Sequence, residues 1–548
     1  MTDDSISLPP KALVANWETL TRTFIRPESE EAKETLIKYM EQILFGLQEF
    51  LKEHVGITEE KSLKELAELF SDTSLPQVPE KMLAEVITDL VQDIAPHAVN
   101  VASPYFVGHM TAAIPFFMVH LKTITAALNQ NVVKLETSKV VSILEKQLLA
   151  KIHRLVYQQS KGFYDTHVQN TETALGCFTE DGTIANITAL WVARNRLFGE
   201  KSGFEGIEKE GVAAAYKAYD IDRSVVLVSC LAHYSLQKAG GILGIGNKNV
   251  VAIDVDSNYR LDMDHLRRTL DSLRREGRTK VVAIVGLAGA TETGTIDPLR
   301  EIADLCSEQD IHFHGDAAWG GPTLLSGKYK HLLDGIQYAD SVTIDGHKQF
   351  YMPMGCGMVY FKEPTALDAI AYHSRYINRP GSVDLGIKSL SGSREANSLI
   401  LDSALKIMGT NGYGLLIEHS IQVTREFAEE IQSRPDFELT SPQALNILTY
   451  RFFPQTLRQR LEKEDDKGKK RLYERLNDIN ITIQRNQREA GNSFVSRTTL
   501  KGTDDWPEDR VVLRVVIMNP MTDINILREI LDEQEGLYLL EKGEETFC

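Results

Sequence analysis

The chain has 548 residues, a formal net charge of −17 at pH 7, 43% hydrophobic residues and 25% charged residues. This length exceeds what one hydrophobic core usually holds, and the composition is that of a folded protein, so a single small module and global disorder are excluded. An acidic surface repels polyanions, so nucleic acid is not an expected partner.

No targeting or membrane segment is expected. The start, MTDDSISLPPK, has two acidic residues before its first lysine and no apolar stretch, so no secretory signal is predicted. The longest apolar run, residues 112–119, contains Pro115 and is far shorter than the ~20 residues that span a bilayer. Five cysteines without a CxxC pair indicate reduced thiols. We therefore expect a cytoplasmic protein without a membrane partner.

The first part of the chain is predicted to be helical. Residues 17–25, 30–55, 61–70 and 80–94 repeat apolar side chains at spacings of three and four, which is typical of amphipathic helices. Such an arm is too thin to bury its own apolar stripe. It is therefore expected to pack either on the body of the same chain or on a second subunit.

Near residue 100 the sequence pattern changes to short apolar segments, typical of strands, that alternate with amphipathic helices such as residues 261–277 and 298–309. This alternation predicts a mainly parallel sheet with helices on both faces. Ligands of such sheets bind at the carboxyl ends of the strands. The strand candidates are residues 224–229, 250–255, 281–286, 311–316 and 341–346.

A smaller α/β unit is predicted after a long helix pair at residues 399–435. Its strand candidates are NILTYRFF and VVLRVVIMN, and its helices are expected at 470–490 and 523–540. The charge run at 462–471 is interpreted as a solvated loop or the start of a helix. The predicted organisation is an arm (1–100), a large domain (101–400) and a small C-terminal α/β domain (401–548).

Two strands of the predicted sheet end in residues with complementary chemistry. Asp316 ends a strand in FHGDAAWGG, and Lys348 follows another in SVTIDGHKQF. Alone, an aspartate is usually a cap and a lysine a solvated cation. Together at one sheet edge they are what a pyridoxal 5'-phosphate (PLP) enzyme requires: a lysine for a Schiff base and a carboxylate that keeps the pyridine nitrogen protonated. Aminotransferases share this requirement and are the alternative from a different reaction class.

The motifs resemble, in order, those of the group II PLP-dependent amino acid decarboxylases. They are YFVGHM at 105, NQNVVKLETS at 129, LEKQLL at 144, CFTEDGTIANITALWVARN at 177, HYSLQKAGGILG at 233, GLAGATETGTIDPL at 286, DAAWGG at 316, DGHK at 345, SLSGSRE at 389 and LRVVIMNP at 513. No single segment suffices, but the ordered set is a strong signal. The resemblance implies an α/β, fold-type I PLP-dependent transferase fold with a mainly parallel, seven-stranded type of sheet, and a carboxy-lyase activity.

The resemblance also implies roles around the cofactor ring. Lys348 would carry PLP as a covalent Schiff base, and Asp316 would pair with the ring nitrogen. His233 would stack on the ring and act in catalysis, Ala318 would underlie the opposite face, and Thr291 would touch the ring face or its hydroxyl. No metal is expected.

The phosphate of PLP is expected at the start of the helix in FTEDGTIAN, on Gly182 and Thr183, since helix N-termini bind anions. An ordinary N-cap formed by Thr183 or Asp181 is the alternative. His347 matches a phosphate contact of the family. Asp345 stands where the aromatic and glutamate enzymes carry Asn, and a carboxylate repels a phosphate unless it is protonated, turned away or bridged.

Substrate selection is assigned to few residues. Arg514 matches an arginine with which glutamate-type members grip the side-chain carboxylate, where a guanidinium pairs in bidentate fashion; a structural ion pair is the alternative. Asn131 matches a glutamate decarboxylase asparagine, whereas Val133 stands where that enzyme has Phe. His109 is a candidate for reaching the site from near a subunit interface. Which subunit supplies His109 and Asn131 is left open.

The whole chain is most similar to a bacterial branch of PLP-dependent aspartate 1-decarboxylases, which make β-alanine for pantothenate. The expected substrate is therefore the small acidic amino acid L-aspartate. Glutamate decarboxylation, which forms GABA, is the first alternative, and cysteine sulfinate and diaminobutyrate follow. The family is dimeric, with an arm wrapped around the partner, so a homodimer is expected.

A mobile loop between DGHK and SGSR supplies a Tyr as proton donor in this family. Counted back from Arg394, that position falls on Val383, so the family Tyr is not carried over. Tyr376 is our substitute candidate for the proton donor.

Overall fold

The computed structural model describes residues 30–52, 63–373, 382, 384–502 and 508–545. The helix predicted at residues 17–25 and the candidate Tyr376 therefore lie outside the described residues. The remaining helices of the arm are α1 (Glu30–Lys52), α2 (Leu63–Leu69) and α3 (Leu83–Asp89). Among the helices of the described ranges, none combines the length and the apolarity needed to cross a bilayer.

The central part is a seven-stranded sheet flanked by helices, as predicted. Its strands are β1 (Gly176–Thr179), β2 (Arg223–Ser229), β3 (Val250–Ile253), β4 (Thr279–Leu287), β5 (His312–Asp316), β6 (Ser341–Asp345) and β7 (Gly357–Phe361). Its helices are α4 (Phe116–Leu128), α5 (Leu135–Ser138), α6 (Val140–Tyr157), α7 (Lys161–His167), α8 (Gly182–Leu197), α9 (Ile207–Tyr219), α10 (Ser235–Ile242), α11 (Met263–Glu276) and α12 (Leu299–Gln309).

The sheet has the order β1-β7-β6-β5-β4-β2-β3. Its strand β7 is antiparallel to both β1 and β6, and the other six strands all run in one direction. All five predicted strands are confirmed. The sequence did not reveal β1 and β7, because a buried run of four or five residues carries no period that separates strand from helix.

Alternate residues of the central strands enter separate cores on the two faces of the sheet. Val225 and Leu227 of β2 pack in one core, and Val226 and Val228 pack in the other. This is the pattern of a parallel sheet covered on both sides. Because β2, β4, β5 and β6 are parallel, the residues that follow them meet at one edge.

The small C-terminal unit has an antiparallel sheet in the order β10-β11-β9-β8. Its strands are β8 (Phe437–Leu439), β9 (Ile447–Phe452), β10 (Ser496–Leu500) and β11 (Arg510–Val516), and its helices are α13 (Asn397–Ser433), α14 (Gln455–Leu461), α15 (Asp466–Ala490) and α16 (Ile524–Glu545). α13 is interrupted at Gly409, where φ is 66°, so the predicted helix pair is confirmed. The boundary proposed at 400/401 falls inside α13. The charge run starts α15, which Asp465 caps.

The segment YFVGHM joins the small sheet to the large one, because its last residue, Met110, packs in a core of the large sheet while the residues before it contact the small sheet. Phe106 forms a parallel bridge with Phe494, and the backbone amide of Val516 donates to the carbonyl of Val107 at 2.7 Å. A side chain at Gly108 would meet the Phe494 ring at 2.6 Å. This close contact brings the next residue, His109, to the edge where the two sheets meet.

Two motifs that are far apart in the chain meet in one buried ion pair. Arg394 of SGSRE donates to Glu145 of LEKQLL, with an Nη1–Oε2 distance of 3.0 Å. Their side chains are 6% and 1% exposed. Removing one partner of such a pair leaves an uncompensated buried charge, which costs much more than the pair itself contributes.

We predict that Glu145→Gln lowers the free energy of unfolding by about 3–5 kcal/mol, because Arg394 stays buried without its counter-charge. Denaturation in urea measures this. The matched control is Asp165→Asn, which breaks an exposed pair with Lys161 (61% and 83% exposed) and is expected to cost less than about 1 kcal/mol. Equal midpoints for the two variants would contradict the role given to the buried pair.

Candidate active site

A cavity of about 260 Å³ lies at the carboxyl edge of the large sheet. It brings together nearly all the residues predicted for the site. Those that line it are His109, Gly182, Thr183, His233, Thr291, Asp316, Ala318, Asp345, His347, Lys348 and Arg514. Asn131 does not line it.

Lys348 lies just beyond β6 and is held by the last residue of that strand. Its Nζ is 2.9 Å from Oδ2 of Asp345, whose side chain is buried. The other oxygen, Oδ1, has no hydrogen-bond partner among the described residues. His347 donates from Nδ1 to the carbonyl of Cys356 at 2.8 Å, and its Nε2 lies 3.8 Å from Asp345. The negative charge at Asp345 is therefore offset by the lysine beside it.

The start of α8 packs tightly against the ends of β6 and β7. A side chain at Gly182 would meet Oδ2 of Asp345 at 2.7 Å, and one at Gly357 would meet the backbone carbon of Asp181 at 2.4 Å. Asp181 accepts a hydrogen bond from the amide of Ile184 at 2.9 Å, so its carboxylate is the N-cap of α8. Asp181 is thus an N-cap, but the bond that it accepts comes from Ile184, so this cap does not use the amides of Gly182 and Thr183. Gly182 remains at the cavity wall, at the positive end of the helix.

Asp316 is a buried carboxylate that faces the cavity. Oδ1 accepts from the amide of Ala318 at 3.2 Å, and Oδ2 accepts from Nδ2 of Asn186 at 3.0 Å. The ion pairs that the described cavity residues form involve Asp345 and leave Asp316 without a cation. A buried carboxylate with this open partner position suits the protonated ring nitrogen of PLP, so the donor set fits the cofactor.

His233 lies beside Asp316 and is half-buried. Burial lowers the pKa of its imidazole, and the nearby Asp316 opposes this. Its Nδ1 accepts a hydrogen bond from the amide of Ser235 at 3.3 Å, which places the ring hydrogen of the neutral form on Nε2. The tautomer is therefore set by the first turn of α10.

Arg514 of β11 is only 7% exposed and lines the cavity. Its Nε donates to the carbonyl of Thr291 at 2.7 Å, and its Nη1 donates to Gly108 at 3.3 Å and to Ser496 at 3.2 Å. Nη2 has no partner among the described residues. Backbone carbonyls and a hydroxyl thus hold this guanidinium, in place of the ion pair considered as the alternative.

The positive charge of Arg514 is only partly compensated by a nearby acidic residue, Glu292. Burial lowers the pKa of Arg514 to about 10, and Glu292 opposes this shift from a distance. The pKa of His109 is also lowered, by burial first and then by Arg514. This end of the cavity therefore carries a buried positive charge with one spare pair of donors.

Asn131 is engaged elsewhere in its own chain. Its Oδ1 accepts from the amide of Arg394 at 3.1 Å, and its Nδ2 donates to Ser393 at 3.3 Å. Within one chain, His109 therefore reaches the cavity and Asn131 does not.

The sequence analysis missed Asn186, which lines the cavity and contacts Asp316. Its signal was its spacing. It lies four residues after Gly182 on α8 and so shares the helix face that starts at the cavity.

Comparisons with known proteins identify the family of the chain. The family model "Pyridoxal-dependent decarboxylase conserved domain" matches residues 64–452. Aspartate 1-decarboxylase of Aliivibrio fischeri is 44% identical over 527 residues, which cover 96% of this chain and 95% of that protein. L-2,4-diaminobutyrate decarboxylase of Rhizobium meliloti is 27% identical over 82% of this chain and 81% of that protein.

A solved structure shares the whole fold. The glutamate decarboxylase domain of diaminobutyrate-pyruvate transaminase and L-2,4-diaminobutyrate decarboxylase from Vibrio parahaemolyticus has a TM-score of 0.79 at 22% identity, covering 96% of this chain and 100% of that one. The family match covers most of the chain. The chain belongs to the pyridoxal-dependent decarboxylase family and is a PLP-dependent amino acid carboxy-lyase of fold type I.

Proposed function

We propose that the enzyme converts L-aspartate to β-alanine and carbon dioxide, and thereby supplies a precursor of pantothenate. Arg514 carries the choice of an acidic substrate, because its buried guanidinium has a spare donor at the cavity wall. The name of the Aliivibrio fischeri relative supports aspartate among the acidic amino acids.

The residues present have distinct tasks toward the cofactor. Lys348 would hold PLP covalently, and the amides of Gly182 and Thr183 with His347 would bind its phosphate. His233 and Ala318 would lie on the two faces of the ring, and Thr291 would touch its face or its hydroxyl. Asp345 keeps the amine of Lys348 at the cavity wall.

When bound, PLP would supply an electron sink that accepts the electron pair of the bond to the departing carboxylate. Asp316 holds a proton at the ring nitrogen, which keeps that sink positive. Arg514 binds the distal carboxylate of the substrate, which leaves the α-carboxylate as the group free to depart. Tyr376 then donates the proton that replaces it.

The alternatives differ in side-chain charge and length. Diaminobutyrate carries an ammonium group that Arg514 would repel, so it is the least favoured. Glutamate is longer than aspartate by one methylene, and cysteine sulfinate carries a different acid. A scaffold that had lost PLP would require damage at Lys348, Asp316 or His233, and all three residues are present in the cavity.

We propose that the protein is a cytoplasmic homodimer. A single chain leaves large apolar side chains exposed, including Phe45 of α1 (68%) and Phe116 of α4 (78%). A second subunit would cover such surfaces. The four cysteines within the described ranges are free thiols, which suits a reducing compartment. Asn131 and the arm are candidates for contacts across this interface.

The substrate assignment is tested by incubating the PLP-loaded protein with aspartate, glutamate, cysteine sulfinate, diaminobutyrate and tyrosine, and identifying the amine formed. β-Alanine from aspartate is the expected main product. We predict that Arg514→Gln raises the KM for aspartate about 100-fold, since charged hydrogen bonds are worth about 1.5–3 kcal/mol each and a factor of ten is about 1.4 kcal/mol. Arg514→Lys keeps the charge but lacks the fork, so an intermediate KM is expected.

Arg510→Gln is the matched control for this experiment. Arg510 lies on the same strand, but it contacts Tyr259 and does not line the cavity. The cofactor spectrum should be unchanged in the Arg514 variants. Inactivity on every acidic substrate, or a KM for Arg514→Gln like that of Arg510→Gln, would show that Arg514 does not select the substrate.

The close packing at the start of α8 gives a prediction about cofactor affinity. Gly182→Ala places a methyl group where Asp345 lies at 2.7 Å, so one of the two must move and the phosphate site is distorted. We predict at least about a tenfold weaker PLP affinity, the loss of roughly one charged hydrogen bond. Fluorescence titration of the apoprotein measures it. Gly199→Ala, with its nearest neighbour at 3.6 Å, is the control and should bind PLP normally.

The proton donor is tested with Tyr376→Phe. Loss of the hydroxyl is expected to lower kcat about 100-fold, in line with general acid catalysis, and to increase conversion of the cofactor to its amine form. Added PLP should then restore part of the activity during turnover. Tyr372→Phe, which removes a hydroxyl bonded to Glu208 at 2.6 Å, is the control. Wild-type kinetics for Tyr376→Phe would exclude Tyr376 as the donor.

A further inference from the structure

A line of hydrogen-bonded polar side chains begins with Asn186, next to Asp316 at the cavity, and extends into the protein as far as His312. Nε2 of His312 lies 2.8 Å from Oγ of Ser341, which lies 2.9 Å from Nδ1 of His314. Nε2 of His314 lies 3.0 Å from Oδ1 of Asn186, whose Nδ2 donates to Asp316 at 3.0 Å. His314, Ser341 and Asn186 are fully buried. We call His312, Ser341, His314 and Asn186 the donor chain.

The fold places these residues together by simple periodicity. His312, His314 and Asp316 alternate along β5, so they share one face of the strand. Ser341 of β6 lies opposite His314 in the register of the sheet. Asn186, on α8, covers the same face. Strand alternation, the register of the sheet and the packing of α8 are therefore enough to place the donor chain next to Asp316.

The hydrogen-bond inventory fixes the direction of each bond, starting from Asp316. An ionised carboxylate only accepts, so the amide nitrogen of Asn186 faces Asp316 and gives its second hydrogen to Ser235 at 3.0 Å. Oδ1 of Asn186 therefore faces His314, which must donate from Nε2.

The direction continues beyond His314. Burial lowers the pKa of His314 to about 4 and that of His312 to about 3, so both rings are neutral at pH 7. Nδ1 of His314 consequently accepts from the hydroxyl of Ser341, whose oxygen accepts from Nε2 of His312. Each hydrogen bond between members of the donor chain is therefore donated in the direction of Asp316.

We propose that the donor chain is a set of positioning residues that keeps Asp316 ionised and correctly oriented, and so keeps the ring nitrogen of PLP protonated. The hydrogen bond from Asn186 to Oδ2 of Asp316 is stronger when Asp316 is charged, so it favours the ionised form. The aligned donors behind Asn186 polarise its amide and strengthen this bond further. The inference rests on the proposed placement of the ring nitrogen against Asp316.

The test compares PLP with an analogue in which the ring nitrogen is replaced by a CH group. His314→Phe removes both hydrogen bonds of the ring, whereas His314→Gln keeps an amide donor for Asn186. We expect His314→Phe to weaken PLP binding about tenfold, to change the pH dependence of the bound cofactor's absorption, and to leave the affinity for the analogue unchanged. His314→Gln should restore most of the PLP affinity.

His153→Phe is the matched control. His153 is also buried, with hydrogen bonds to Tyr164 at 2.9 Å and to the carbonyl of Phe361 at 3.0 Å, but it has no link to Asp316. It should not discriminate between PLP and the analogue. If His314→Phe does not fold, Ser341→Ala breaks the donor chain at the next hydrogen bond. It should also weaken the binding of PLP without changing that of the analogue, but by a smaller factor.

Asp316→Asn separates the two hypotheses. It should weaken PLP binding more than analogue binding if the ring nitrogen faces Asp316; equal effects would overturn both the placement and the donor chain. If Asp316→Asn discriminates but His314→Phe and Ser341→Ala weaken both ligands equally, or neither, the donor chain is overturned and the placement stands.

Discussion

The proposed chemistry depends on one costly feature, a buried carboxylate that faces the cavity at the edge of the large sheet. Taking a carboxylate out of water costs several kcal/mol unless hydrogen bonds replace the solvent. Asp316 receives those bonds from the Ala318 amide and from Asn186. Neither donor carries a charge, so the remaining attraction of Asp316 is left for a cation. In our proposal that cation is the pyridinium of PLP, which would link the fold to the chemistry of the family.

The site also concentrates positive charge within an acidic chain. A chain with a net charge of −17 must bind an anionic cofactor and, in our proposal, an acidic substrate. The positive groups are local and separate: the N-terminus of α8 and Lys348 lie on the cofactor side, and Arg514 lies on β11. Asp345 limits the cofactor side, because it takes up the charge of Lys348. Attraction is thus concentrated at the points where an anion must be oriented.

Much of this arrangement could be predicted from the sequence, because it follows from periodicity and parallel pairing. The residues after β2, β4, β5 and β6 had to meet at one edge once those strands were parallel, and they line one cavity. The strands β1 and β7 were too short to carry a period. Helical spacing could have placed Asn186 at the cavity, but the proposed role of Asn186 and His314 comes from hydrogen bonds between a helix and two strands, which no linear motif shows. Asn131 matched a motif, yet its bonds to Ser393 and Arg394 keep it from the cavity of its own chain.

In our proposal, the large sheet holds the cofactor and the small sheet holds the substrate side chain. Residues toward the cofactor come from the large sheet and α8, whereas Arg514 comes from the small sheet and is held by carbonyls of Thr291 and Gly108. Those carbonyls belong to the β4 turn and to YFVGHM, so the arginine is fixed by both sheets. In our proposal, a change at β11 would alter the substrate while Asp316 and Lys348 keep their surroundings. Such a separation would let one fold serve substrates that differ in side-chain charge.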